Sequence, residues 1–338
     1  MERRYQVLAL SGGGYRGLFS ATLLEKLEEA SGEPLRNRFD LIIGTSIGGL
    51  LACGLACGLP AGEIRAAMER HGGAIFDRRP RICGRRFWPP LPRVGILASR
   101  YSQDGLREAA ASVLGVHAGT SLASVSAPLM AVAVSRQNAR PIVFRSAGIS
   151  DRPSRASLLD AVLATSAAPT YFPEHLVEGE TLIDGGIVAN APDLIGLAEI
   201  MARYGARPDT VEMLSVGTAG GGHADVPRRP RGHGALRWML PGRLFGRALF
   251  AVTISAQEAM ALEITQRLLR DRHVRLDRHP SAEQQVHLGL DRASPRATAV
   301  LGDLARQAWR ELENSRDRTT VEGMLRHRAS WATPRGIL

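Results

Sequence analysis

The sequence predicts an α/β protein: a mainly parallel central sheet covered by helices on both faces, in three α/β/α layers. Three observations carry this expectation. Residues 5–10 form a short, mostly apolar run that stops at three glycines, and a helical repeat begins at Gly17. Residues 39–43 form a second apolar run, again followed by a glycine-flanked turn and an apolar helix pattern. Residues 211–216 form a third run of the same kind. Short buried runs alternating with helices read as parallel strands joined by crossovers.

The elements follow in chain order. Over residues 17–30, Leu18, Thr22, Leu23, Leu24 and Leu27 fall on one helical face, with Glu25, Glu28 and Glu29 between them. Residues 47–59 predict a buried helix and residues 61–76 an amphipathic one, with Glu63, Arg65, Glu69 and Arg70 outward. Residues 78–100 are rich in arginine and proline and predict a long irregular loop. Strands are expected over 127–135, 141–145 and 181–184, and helices over 157–166 and 190–204. Residues 219–242 are dominated by glycine, proline and arginine and predict a loop. Helices are expected over 244–272 and 296–314, and the last two dozen residues are expected to be weakly ordered. Residues 1–218 are therefore taken as the core, and 219–338 as a helical C-terminal extension packed on the same domain.

Composition narrows the class. The 338 residues are 44% apolar and 22% charged, a globular balance. The net charge is +10, carried almost wholly by arginine, since Lys26 is the sole lysine. Such a surface reflects coding bias or attracts anions such as head groups and nucleotides. No helix concentrates the charge in a stripe, so a polynucleotide partner is not expected. Three cysteines, Cys53, Cys57 and Cys83, make no disulfide framework and suit a reducing compartment. Cys53 and Cys57 lie in an apolar helical stretch with no second ligand pair nearby, so they read as core residues rather than metal ligands. Residues 41–62 are uncharged, but Thr45, Ser46, Pro60 and several glycines make them a poor membrane span. No secretory signal is visible at the start, and a cytoplasmic protein is expected.

Three segments carry chemistry. Gly44-Thr45-Ser46-Ile47-Gly48 lies between a buried strand and a helix. Glycines on both sides of the serine permit a sharp turn that presents its hydroxyl at the top of the sheet. Ser11-Gly12-Gly13-Gly14-Tyr15-Arg16-Gly17 follows the first strand. Its consecutive glycines let several N–H groups converge on one anion, whether a phosphate or a developing oxyanion. The spacing Gly12-x-Gly14-x-x-Gly17 also matches a dinucleotide loop formally, but no acidic residue closes the second strand. Asp184-Gly185-Gly186 ends a later strand. A nucleophile needs a base and preorganised donors. Ser46, Asp184 and Gly12, Gly13 and Gly14 supply one of each.

In carrying these three motifs in this order, the sequence resembles the patatin-like phospholipase family. Residues 164–172, Ala-Thr-Ser-Ala-Ala-Pro-Thr-Tyr-Phe, are similar to that family's segment before the aspartate. The resemblance covers residues 5–216; Ser11 stands where many members carry aspartate. It implies a patatin-like fold and a Ser46–Asp184 dyad with no catalytic histidine, no metal and no other cofactor. It further implies an oxyanion loop at Gly12, Gly13 and Gly14 supported by Arg16, elbow glycines Gly44 and Gly48, and acid-loop glycines Gly185 and Gly186. The expected reaction is hydrolysis of acyl esters of membrane phospholipids at the inner face of the membrane. The sequence is also similar to bacterial effectors of antiphage signalling. That similarity implies activation by a cyclic di- or oligonucleotide, often with rearrangement of a homo-oligomer. Three alternatives stay open. They are a small-substrate esterase or thioesterase, a non-catalytic anion-binding module, and an α/β-hydrolase using a later histidine such as His223. Against the last stands the closeness of the glycine loop to Ser46. Phe87, Trp88, Ile96 and Leu97, interleaved with Arg85, Arg86, Arg93 and Arg100, suit either an interfacial loop or a packed surface loop. The stretch 228–238, with Trp238, offers the same two readings.

Overall fold

The computed structural model describes residues 3–76, 81–82, 85–86, 99–220 and 248–331. The chain enters as β1 (Tyr5–Leu10), passes through the glycine loop and continues as α1 (Gly17–Ser31). Gly32 ends that helix in a left-handed conformation and returns its N–H to the Glu28 carbonyl. β2 (Leu41–Thr45) and α2 (Ile47–Ala56) repeat the unit, and α3 (Ala61–Ile75) follows. A ribbon of β3 (Arg81–Ile82) and β4 (Arg85–Arg86) precedes α4 (Gln103–Leu114). Two hairpins flank α5 (Leu158–Thr165): β5 (Leu129–Ser135) with β6 (Arg140–Arg145), and β7 (His175–Val177) with β8 (Glu180–Asp184). The core closes with α6 (Gly186–Ala189), α7 (Asp193–Tyr204) and β9 (Val211–Val216). The C-terminal part is α8 (Ala248–Leu269), β10 (His273–Leu276), α9 (Ala282–Gln285), α10 (Pro295–Glu313) and α11 (Asp317–Arg326).

The main sheet runs β10-β9-β1-β2-β5-β8-β7, with β6 also on β5. The five strands from β10 to β5 are parallel, while β6, β7 and β8 pair antiparallel. Alternate residues of each strand feed two separate cores, which is what makes three layers. Leu8 and Leu10 join a cluster with α1, α2, α3 and α10 residues such as Phe19, Leu50, Ile64 and Leu301. Val7 and Ala9 join another with Leu197 and Ile200 of α7. The extension is built into the same body. β10 extends the sheet beside β9, and α10 buries Val300, Leu301, Leu304, Ala308 and Leu312. Burial of each of these valine and leucine side chains stabilises by roughly 1.5–3 kcal/mol.

The register of β5 positions the chemistry. β6 occupies one edge of β5 over Met130 to Ser135. On the other edge β2 pairs up to Thr45↔Val132, and β8 arrives from the opposite direction with Asp184↔Ala133. The two strands therefore meet end to end on neighbouring rungs. The residue after Thr45 and the last residue of β8 must be neighbours.

Three expectations need correction. The last two dozen residues include α11, whose Val321, Met324 and Leu325 are buried. The helix expected over 190–204 begins only at Asp193, because Pro192 precedes it and Asn190 is engaged elsewhere. The extension is not only helical, since β10 is a sheet strand. Of the two readings of the arginine- and aromatic-rich loop, Arg100 fits the packed one: it pairs with Asp291 at 2.7 Å and stacks over Tyr171 at 5.2 Å. Phe87, Trp88, Arg93, Ile96 and Leu97 lie outside the described residues, as do Cys83, His223, His233 and the 228–238 stretch. Among the described residues, no helix is long and apolar enough to cross a membrane.

Candidate active site

Ser46 sits at the hinge between β2 and α2 with φ 55 and ψ −125, a backbone that a non-glycine residue adopts only under constraint. The constraint is visible. Its N–H donates to Thr165 Oγ1 at 2.9 Å, and that hydroxyl donates to the Val132 carbonyl. Gly48 is required because a Cβ there would lie 2.2 Å from the Leu10 carbonyl oxygen, so α2 starts hard against the end of β1. Gly44 is held to Gly48 in the same way, with its Cβ position 2.1 Å from the Gly48 oxygen.

Ser46 Oγ donates to Asp184 Oδ2 at 2.8 Å. The second carboxylate oxygen accepts the Gly186 N–H at 2.7 Å, which fixes the plane of the carboxyl group. Gly185 packs its backbone on β5, where a Cβ would fall 2.2 Å from the Val132 oxygen. Asp184 is almost fully buried, and removal from water pushes its pKa up to about 6. The hydrogen bonds from Gly186 and Ser46 oppose that rise without cancelling it. The group is thus charged at neutral pH and basic enough to take a proton.

The glycine loop contributes unequally. The Gly12 N–H is already donated to the Asn190 carbonyl at 2.9 Å, so Gly12 shapes the loop but offers no donor to an oxyanion. This corrects the expected set of three donors. Gly13 and Gly14 line the cavity beside Ser46, and no described acceptor takes their N–H groups. Gly14 has φ +58, and a Cβ there would lie 2.3 Å from the Leu290 oxygen. Arg16 supports the loop through its backbone, donating to the Gly13 carbonyl at 3.3 Å. Its guanidinium packs at Gly220, and no described contact joins it to Ser46.

Five supporting residues carried no local signal in the sequence: Asn190, Gln257, Glu258, Arg275 and Asp277. Asn190 Nδ2 donates to Glu258 Oε2 at 2.8 Å and, more weakly, to the Gly12 carbonyl at 3.4 Å. Arg275 Nη1 donates to Ser11 Oγ at 2.8 Å, and its Nη2 pairs with Glu258 at 3.0 Å and Asp277 at 2.8 Å. Gln257 Nε2 donates to the Gly186 carbonyl at 3.1 Å. The extension therefore grips the oxyanion loop and the acid loop together. Local patterns gave no sign of it, because the partners are some seventy to two hundred and sixty positions apart.

The dyad opens onto a narrow channel of about 90 Å³. Its walls are apolar: Ile47, Leu50, Met68, Ile75, Phe76, Leu106 and Val113 from the helices, and Tyr171 and Phe172 from the loop before β7. Ile254 of α8 and Leu290 close it from the extension. Phe76 and Phe172 pack on Tyr101 at 5.5 and 5.8 Å. The described histidines with hydrogen bonds are engaged away from the dyad: His175 with Asp160, His273 with Asp193 and His327 with Asp40. Among the described residues no group of three potential ligands could hold a metal ion.

Comparison with known proteins adds the following. The profile of one family, described as patatin-like phospholipase, matches residues 8–194. Three relatives described as cGAMP-activated phospholipases match along almost the whole chain. That of Pseudomonas aeruginosa is 35% identical over 317 residues, covering 90% of this chain and 87% of its own. That of Vibrio cholerae is 33% identical over 328 residues, covering 91% of each chain. That of Escherichia coli is 32% identical over 313 residues, covering 86% of this chain and 85% of its own.

Proposed function

The chain belongs to the patatin-like phospholipase family, and we propose that it hydrolyses acyl esters of membrane phospholipids through Ser46 and Asp184, under control of a cyclic nucleotide. The observation that carries the reaction is the 2.8 Å contact between Ser46 Oγ and a buried carboxylate whose pKa lies at about 6.

Asp184 takes the hydroxyl proton as Ser46 Oγ attacks the ester carbonyl. The oxyanion that develops is met by the Gly13 and Gly14 N–H groups. Collapse of the tetrahedral species expels the alcohol, which leaves with the proton held by Asp184, and an acyl-serine remains. Water then attacks the acyl group, with Asp184 again as base, and the free fatty acid departs. One residue serves as base and acid in both halves. The apolar channel favours a chain of methylenes over a bulky or polar acyl group, and the surface charge of +10 favours an anionic bilayer. In this reading the protein acts from the cytoplasmic side, at the inner face of the membrane. The names of the three bacterial relatives support a cyclic nucleotide activator.

The test is release of fatty acid from phospholipid vesicles, read by mass, with and without cyclic GMP-AMP. Ser46→Ala is expected to lose about a hundredfold or more of the activity. Equal turnover of short soluble esters and vesicles would instead favour a small-substrate esterase. Full activity without nucleotide would remove the regulatory part of the reading.

A further inference from the structure

The glycine loop is anchored on both sides by main-chain bonds to distant segments. The Gly12 N–H goes to the Asn190 carbonyl, and the Tyr15 N–H donates to the Leu290 carbonyl at 2.9 Å. The Gly13 and Gly14 N–H groups, which no described acceptor takes, lie between these anchors. The Leu290 oxygen also stands so close to Gly14, at φ +58, that only glycine fits there. Where Leu290 stands therefore decides how the Gly13–Gly14 peptide is turned.

Leu290 belongs to no helix or strand; it lies in the link 286–294 between α9 and α10. No backbone ladder fixes its carbonyl, so side chains must. The next residue supplies the hold. Asp291 Oδ2 accepts Arg100 Nη1 at 2.7 Å and the Tyr101 hydroxyl at 2.9 Å. The Arg100 and Asp291 side chains are only 17% and 15% exposed, so this charge-assisted pair is shielded from water and keeps its geometry. Arg100 and Tyr101 are fixed in turn. Their N–H groups donate to the Thr170 and Tyr171 carbonyls at 3.0 and 2.8 Å, and the Tyr101 ring packs on Phe76 and Phe172. We propose that Asp291 is a positioning residue for the oxyanion donors: it ties the Leu290 carbonyl to the rigid channel wall and so holds Gly13 and Gly14 in place. Asp291 itself does not line the channel. The proposal rests on the reading of the chain as an acyl hydrolase acting through Ser46.

Loss of Asp291 frees Leu290 without dismantling either neighbour. The channel wall keeps its own backbone bonds and ring packing. Tyr15 stays tied through its hydroxyl to Thr298 Oγ1 at 2.7 Å, and α10 keeps its Ser294 cap. Binding of the acyl chain should therefore survive, while the developing oxyanion loses well-aimed donors.

The experiment compares a long-chain alkyl trifluoromethyl ketone with the matching methyl ketone as inhibitors of vesicle hydrolysis. Ser46 Oγ adds to the activated carbonyl carbon of the first, the carbonyl π pair moves onto its oxygen, and the hydroxyl proton passes to Asp184. The adduct thus carries the oxyanion; the methyl ketone fills the same channel without adding. Asp291→Ala is expected to lower kcat and trifluoromethyl ketone affinity together by about tenfold or more. KM and methyl ketone affinity should change by less than about twofold. Tyr101→Phe keeps the ring and removes one of the two bonds, so it should show the same split at about threefold. Added to Asp291→Ala, it should cost nothing further. Should Asp291→Ala not fold, Tyr101→Phe decides. Equal loss of both ketones would make Asp291 a channel-shaping residue and overturn the proposal, as would wild-type kcat in the folded variants. An unaltered protein inert to vesicles and to the trifluoromethyl ketone would overturn the hydrolase reading instead.

Discussion

The two ends of the sheet make opposite use of the same strands. At the C-terminal ends of β1 and β2, the chain builds a narrow apolar channel with one strained serine and one buried carboxylate. At the N-terminal ends of β1 and β9, it opens a wider cleft where Arg4 and Arg326 are held by Glu212 and Glu322. The difference shows what each task demands. Proton transfer needs a dry place where a carboxylate is destabilised enough to act as base. At the other end the charges serve to join elements: Arg4 ties the start of β1 to Glu212 of β9 at 2.7 Å.

Changes at the dry end should cut activity most. Asp184→Asn keeps the size and most of the hydrogen bonding but removes the base, and is expected to lose about a hundredfold or more in kcat. The melting temperature should not fall with it. The raised pKa means that folded Asp184 holds its proton more tightly than the unfolded chain does. Its contribution to stability is therefore complete below the ordinary carboxylate range and lost as pH rises through about 6. At pH 7 the neutral amide should melt at the same temperature or higher, and a collapse of the fold would show that Asp184 is structural.

Next in size is the pH profile. If Asp184 is the base, kcat/KM on vesicles should fall about tenfold from pH 7 to pH 5, with a midpoint near 6. A flat profile across that window would assign the base elsewhere. The smallest effect is expected at the joint between the two ends. Glu258→Gln keeps the side-chain volume but removes the charge shared between Arg275 and Asn190. It should lower kcat severalfold with KM on vesicles little changed, since it touches the loop and not the lipid. An equal rise in KM would mean that Glu258 shapes the channel instead.

Much of the dry end was legible in the sequence, because its signals are local. The run before Gly12, the glycines around Ser46 and the Asp184-Gly185-Gly186 turn each state a backbone requirement within a few residues. The joint was not legible. β10 is only four residues long, and Arg275 in its middle reads as a surface strand residue. It is drawn inward, half-buried, because Glu258, Asp277, Ser11 and Ser215 converge on it, which no local period records. α4 keeps a helical spacing in Leu106, Ala109, Ala110, Val113 and Leu114, but it follows directly on the arginine- and proline-rich stretch, whose irregular composition masks its start. α11 hides its three buried apolar residues among charged neighbours. Gly12 shows the reverse failure: the residue type was right, but its N–H was claimed by a carbonyl far along the chain.

The end-to-end meeting of β2 and β8 on β5 has a consequence for how such a protein can change. The distance between hydroxyl and carboxylate is inherited from main-chain pairing on adjacent rungs, Val132 and Ala133, which no side-chain substitution in the helical layer touches directly. The channel walls, by contrast, are side chains alone. Mutation can therefore retailor which fatty acid is accepted while the reacting pair keeps its spacing, so substrate preference is free to drift on a chemistry that stays put.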